Sequence, residues 1–177
     1  MNKTIQVETK KGREITSGQG KNIFVVQKHD TRNLHYDLRI EMDNNLYSWV
    51  IPKGPSMVAD DKRLAVFTHS HPLPYASFEG EIPEDKYGAG KIIVWDIGYY
   101  ENISTANERE IPIVEAFKIG KMKLRLDGDR LEGDYALIEL ADDDGKWIIF
   151  KMQNSLSSNI EAITEKYTDS VISDEEI

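Results

Sequence analysis

The chain has 177 residues, 40% hydrophobic and 30% charged, with a net charge of −9 and no cysteine. This length fits one domain with a core large enough to fold alone. The absence of cysteine excludes disulfides and thiolate metal sites, and the excess of acid argues against bulk non-specific binding to nucleic acid.

No apolar run approaches the roughly 20 residues that span a bilayer. Met1 to Gly20 is polar and lacks the apolar segment of a secretory signal. The expectation is a soluble, cytoplasmic protein with no membrane partner. Charge is uneven along the chain. Residues 1–21 hold Lys3, Lys10, Lys11, Arg13 and Lys21 against Glu8 and Glu14, whereas residues 155–177 hold six acids against Lys166. An acidic body can still act on nucleic acid through a local site where a divalent cation adds charge. It predicts weak, end-directed binding.

Residues 1–21 read as a flexible N-terminal arm. Ile23 to Gln27 is a short β-branched run that predicts a buried strand. From Leu34 the chain alternates. Leu34, Tyr36, Leu38 and Ile40 fall on one parity, and His35, Asp37, Arg39 and Glu41 on the other. A strand has a period of two, so an imidazole, a carboxylate and a guanidinium share one face, roughly 6.5–7 Å apart. His35 and Asp37 can lean toward one metal ion, and His29, just upstream, can supply a third ligand. Imidazole with carboxylate suits divalent manganese, iron or zinc. Arg39 beside them can hold phosphate in a bidentate fork. A half-exposed strand with a mixed polar face is the bland alternative. All four histidines, His29, His35, His69 and His71, nevertheless lie in one short part of the chain.

Asp43-Asn44-Asn45 marks a turn, so residues 34–42 and 46–51 are expected to form a hairpin. Pro52-Lys53-Gly54-Pro55 is a stiff loop in which Lys53 either meets an anion or is simply solvated. Arg63 to Thr68 predicts a strand running into His69 and His71, with Pro72 and Pro74 fixing the loop that presents Tyr75. Phe78 to Gly90 reads as loop, and its Gly-Ala-Gly is too weak a pattern for a phosphate cradle. Lys91 to Asp96 predicts a strand, and residues 99–111 read as irregular. Ile113 to Phe117 suggests one or two helical turns closed by Gly120. Three strands are expected at 121–127, 131–140 and 146–152. They are joined by Asp127-Gly128-Asp129 and by Asp142-Asp143-Asp144-Gly145, which lacks calcium-loop spacing. Leu156, Ile160 and Ile163 recur at helical spacing, before an acidic, frayed end from Asp169. Seven or eight short strands with little helix predict an all-β barrel or sandwich.

Several stretches in order resemble a known family. They are Phe24-Val-Val-Gln-Lys-His29, Leu34-His-Tyr-Asp-Leu-Arg39, Trp49-Val-Ile-Pro-Lys-Gly-Pro55, His71-Pro-Leu-Pro-Tyr75, Phe78-Glu-Gly-Glu-Ile-Pro83 and Tyr87-Gly-Ala-Gly-Lys-Ile-Ile-Val-Trp-Asp96. Together they are similar to the 3′-phosphoesterase domain of bacterial DNA ligase D and its free-standing archaeal and bacterial relatives. The match runs from about residue 22 to 96 and more loosely to 152.

The resemblance implies a closed or nearly closed antiparallel β-barrel of about eight strands, with a crescent-shaped active-site groove and one or two short helices. Residues 22–154 would form this domain, and 155–177 a short helix and acidic tail. It implies a metal-dependent phosphoesterase acting on DNA or RNA 3′ ends at primer–template junctions. The enzyme would remove a terminal ribonucleoside and then the 3′-phosphate, in the setting of non-homologous end joining. Manganese is the expected cofactor, with cobalt or zinc as substitutes. Carried over by position, the metal ligands are His29, His35 and Asp37. Arg39 and His71 contact the scissile phosphate, Tyr75 lines the site, and Lys53 and Arg63 are further phosphate contacts. No polymerase or ligase domain is present, so a separate DNA ligase, polymerase or Ku-type protein would be the partner. His69 stands where the family often has an acid, and Asp85 where glycine is common. Two other functions fit the site residues: a metal-dependent hydrolase of small phosphoesters, and a non-catalytic module that grips nucleic-acid ends.

Overall fold

A computed structural model describes residues 4–141, 145–153 and 162–177. Its frame is a single antiparallel sheet closed on itself. The strands are β1 (Gln6–Glu8), β2 (Glu14–Thr16), β3 (Asn22–Asp30), β4 (Leu34–Met42), β5 (Asn45–Ile51), β6 (Arg63–Phe67), β7 (His71–Pro72), β8 (Gly80–Ile82), β9 (Gly90–Asn102), β10 (Thr105–Ala106), β11 (Arg109–Glu110), β12 (Lys121–Gly128), β13 (Glu132–Glu139) and β14 (Lys146–Lys151). Eight of them run β12-β13-β14-β6-β5-β4-β3-β9, and β9 pairs back onto β12 to close the barrel. Closure removes the open edges that a flat sheet of this length would expose. The expected all-β barrel is therefore the fold, and the sandwich alternative falls away.

Parity decides what faces inward. Tyr36, Leu38, Ile40 and Met42 of β4 join Phe24, Val26, Trp49, Trp95 and Trp147 in the barrel interior. The β4–β5 hairpin turns at Asp43 and Asn44, whose φ angles of 50° and 62° are the positive values that Asp and Asn tolerate best. Helix α1 (Ile113–Ile119) ends at Gly120, in the left-handed conformation, and brings Phe117 onto Trp147 with ring centroids 5.6 Å apart.

A second apolar layer lies outside the barrel. Ile23, Val25, Leu46, Val94 and Ile97 are covered by Ile5 and Ile15, by Leu73 and Ala76 of the 3₁₀ turn Leu73–Ser77, and by Val171. Residues 6–16, expected as part of a flexible arm, thus form the β1–β2 hairpin with Ile15 fully buried. Its alternation of apolar and polar residues is masked by the surrounding lysines. The chain end differs from expectation in the same way. The Val171 N–H donates to Val94 O at 2.9 Å, and Lys28 Nζ donates to Ile177 O at 2.5 Å. Helix α2 (Ile163–Lys166) falls within the last part of the expected C-terminal helix. Leu156, Ile160 and the triple aspartate lie outside the described residues.

Strand β9 is longer than the sequence suggests. It continues through Tyr99 and Tyr100 to Asn102, where residues 99–111 read as irregular; β10 and β11 then form a small hairpin. The Tyr100 hydroxyl, buried, donates to Glu41 O at 2.6 Å, which draws this polar-looking stretch into the sheet. No helix among the described residues is long and apolar enough to cross a membrane.

Candidate active site

The inward residues of β4 force His35, Asp37 and Arg39 to the outer face, as the alternation predicts. The antiparallel register then sets His29 of β3 directly opposite His35, and Gln27 opposite Asp37. On the other side Ser48 of β5 lies opposite Arg39. Strand β7 pairs with β5 and sets His71 opposite Leu46. Four elements thus deliver side chains to one cavity of about 480 Å³, within the usual range for ligand sites. Its walls include Thr68, His69 and Tyr75 on one side and Ile82, Tyr87, Gly88 and Ala89 on the other.

One ligand atom from each of His29, His35 and Asp37 lies within 4.8 Å of the others. The hydrogen bonds fix which atoms these are. His29 Nε2 is 2.7 Å from Gly88 O, and His35 Nδ1 is 3.0 Å from Asn33 O. A carbonyl only accepts, so each of these nitrogens carries its ring proton. That leaves His29 Nδ1 and His35 Nε2 as lone pairs, and both are 3.5 Å from Asp37 Oδ2. Three lone pairs converging in a buried place repel one another unless a proton or a cation sits among them. Ligands about 2.1 Å from a first-row metal lie roughly 3–4 Å from each other, and the 3.5 Å separations of Asp37 Oδ2 from both imidazole nitrogens fall in that range. Backbone carbonyls orienting metal-binding imidazoles are also the usual outer support of such sites. The donor set therefore fits a divalent transition metal.

The charges agree. Burial opposes ionisation of Asp37, but the two facing imidazoles, His29 and His35, and the Arg39 charge outweigh it and hold the carboxyl well below the usual carboxylate range. Burial likewise opposes protonation of His35, yet Asp37 and the Asn33 carbonyl raise its pKa overall. Each group favours the charge that a neighbouring opposite charge would compensate.

Arg39 is buried and held on every side. Its Nε donates to Gln27 Oε1 at 2.5 Å, Nη1 donates to Ser48 Oγ at 2.8 Å, and Nη2 lies 3.6 Å from Asp37 Oδ2. The Tyr75 ring covers it at 4.8 Å. His71 Nδ1 is 3.0 Å from Arg39 Nη1. Arginine only donates, so Nδ1 accepts and Nε2 carries the ring proton of a neutral imidazole. Burial, the Arg39 charge and His69 lower the His71 pKa to about 4, which keeps it neutral at pH 7.

His29, His35, Asp37, Arg39, His71 and Tyr75 thus line one cavity. Lys53 and Arg63 do not. Lys53 is exposed in the turn after β5. Arg63 is bound to Asp61 at 2.9 Å and to Lys53 O at 3.1 Å. Gln27 is a residue that the sequence reading passes over. It anchors Arg39 and donates to Tyr75 O at 2.9 Å and Phe78 O at 3.1 Å. A polar residue inside the run Phe24-Val-Val-Gln-Lys-His29 was the available signal.

Comparison with known proteins agrees with this geometry. The family model described as the DNA ligase D 3′-phosphoesterase domain matches residues 27–139. The multifunctional non-homologous end joining protein LigD of Pseudomonas aeruginosa is 38% identical over 155 residues, 85% of this chain and 18% of that protein. The multifunctional non-homologous end joining DNA repair protein LigD of Mycobacterium tuberculosis is 39% identical over 144 residues, 81% of this chain and 18% of that protein. LigD of Mycolicibacterium smegmatis is 36% identical over 150 residues, 84% of this chain and 19% of that protein. The chain spans about a fifth of the length of these relatives. With the barrel, the converging ligands and these matches together, the chain belongs to the DNA ligase D 3′-phosphoesterase domain family.

Proposed function

We propose that this chain is a divalent-metal-dependent 3′-phosphoesterase that heals nucleic-acid 3′ ends for end joining. It removes a 3′-terminal ribonucleoside, leaving a 3′-phosphate, and then hydrolyses that phosphate to a 3′-hydroxyl. The observation that carries this reading is the meeting of three ligand atoms, from buried His29 and Asp37 and half-buried His35, beside a fully anchored arginine. His29, His35 and Asp37 would hold a divalent cation, manganese by preference, and that cation would supply Lewis-acid polarisation of a phosphate oxygen. Arg39 is preorganised to offset charge that grows on the other phosphate oxygens. The Nε2–H of neutral His71 donates to the same group, a role its low pKa favours over that of proton donor to the leaving oxygen. Tyr75 fixes the Arg39 plane. A 3′-hydroxyl is what a ligase or polymerase consumes, so a separate DNA ligase, a polymerase or a Ku-type end-joining protein is the fitting partner.

The test uses a 5′-labelled DNA primer with one 3′-terminal ribonucleotide, annealed to a longer template. Purified protein with manganese should shorten it by one nucleoside to a 3′-phosphate and then a 3′-hydroxyl. Chelator should stop both steps. Manganese at 100 times its dissociation constant should also stabilise the fold by about 2.7 kcal/mol, and His35→Ala should abolish that gain. The net charge of −9 favours one competing reading, a hydrolase of small phosphoesters. Turnover of mononucleotides without any action on the primer would replace the proposal with it.

A further inference from the structure

Phosphate chemistry leaves one part of the cavity unused. A line of rings runs from its floor to its rim. Tyr75 stacks on Phe78 at 5.1 Å and 10°, and His71 on Tyr75 at 4.7 Å and 26°. His69 follows at 4.7 Å from His71, and Tyr87 at 6.1 Å from His69. Phe78, Tyr75 and His71 are partly buried, and His69 is exposed. Tyr87, at the outer end, is 89% exposed, more than any other large apolar residue described. Its loop is nonetheless tied to the site. Gly88 O accepts the His29 ring proton, and a Cβ on Gly90 would lie 1.9 Å from Asp30 O, so only glycine lets the strand press there.

We propose that Tyr87 is the base-stacking residue of the site: its ring takes the heterocyclic base of the nucleotide whose phosphate lies on Arg39 and His71. The assignment rests on the 3′-phosphoesterase reading above, because it takes the phosphate position from it. Charge argues for a stacking contact. The neighbouring groove is lined by Asp30, Glu81 and Glu84, with Arg32 against them, so it does not attract a run of backbone phosphates. A base carries no charge and has a π-face whatever its identity, so stacking holds an end without sequence preference. A small base-free phosphoester would use Arg39 and His71 and leave Tyr87 bare. Tyr87 thereby separates nucleic-acid ends from other phosphoesters.

Primer–template duplexes with a 3′-phosphate test this when the terminal nucleotide carries either a base or a tetrahydrofuran abasic unit. The wild type is expected to prefer the base-bearing end. Tyr87→Ala should raise KM for that end about 5- to 150-fold, to the level of the abasic end, as the loss of one base stack implies. Tyr87→Phe, which keeps the ring, should retain the preference. An equal KM for both ends in the wild type, or an unchanged preference in Tyr87→Ala, overturns the assignment. A second readout needs no turnover. The native tryptophans, Trp49, Trp95 and Trp147, are all buried. Tyr87→Trp therefore adds an exposed indole, whose fluorescence the base-bearing end should quench and the abasic end should not. Quenching without turnover would sink the enzymatic reading and keep the stacking contact. Turnover without quenching would do the reverse.

Discussion

Arg39 shows how closely one side chain can be specified. It is buried beside Asp37, receives three further partners and has no freedom to seek its ligand. Such a donor stabilises developing charge at little reorganisation cost. Arg39→Ala is expected to lower kcat by about 100- to 1,000-fold, the range for loss of one preorganised donor. Manganese binding, measured by calorimetry, should persist because the three ligands remain. Full activity in Arg39→Ala would remove its proposed role. The residue was legible in the sequence because strand parity put His35, Asp37 and Arg39 on one face. Gln27 and Ser48, which hold it, were not legible. They belong to β3 and β5, and only the register across three strands brings them to Arg39.

At the level of elements, the seam that closes the barrel depends on two glycines facing each other. Gly98 of β9 and Gly128 of β12 are register partners. A Cβ on Gly98 would lie 2.1 Å from Asp127 O, and one on Gly128 would lie 2.4 Å from Asp96 Oδ2 and 2.7 Å from Phe24 Cζ. Asp96, fully buried, accepts backbone N–H donors from Ile97, Asp129, Arg130 and Leu131 and so fixes the turn after β12. Gly128→Ala would push a methyl group into that carboxylate. A loss of about 1–3 kcal/mol or more is expected, read as a lower urea midpoint. An unchanged midpoint would show that the seam yields. The sequence marked Asp127-Gly128-Asp129 as a turn, but composition said nothing of the strand it must press against.

For the whole molecule, the barrel alone does not complete the fold. Its outer apolar layer is capped by the N-terminal hairpin, the 3₁₀ turn and the chain end. These covers meet: Lys10 N–H donates to Val171 O at 2.7 Å, and Lys10 Nζ lies 2.6 Å from Asp169. Ile15→Ala should therefore cost about 2–5 kcal/mol, as deletion of buried aliphatic volume does. A mobile arm would show no change in the unfolding midpoint, so this measurement separates the two descriptions.

What the sequence by itself determined was local and periodic. Apolar and alternating runs marked β3 to β6 and β12 to β14, the inward face of β4 and the polar triplet opposite it. Turn residues placed the β4–β5 and β12–β13 hairpins, and Gly120 the end of α1. These follow from φ/ψ preference and a period of two, which act within a few residues. What only the tertiary structure decided was anything that depends on a partner far along the chain. The closing of β9 on β12, the docking of both termini, the lone pairs left facing one another at His29, His35 and Asp37, and the exclusion of Lys53 and Arg63 from the cavity are of this kind. Register between strands and burial of apolar surface are properties of the assembled sheet, and no window of sequence contains both sides of the contact.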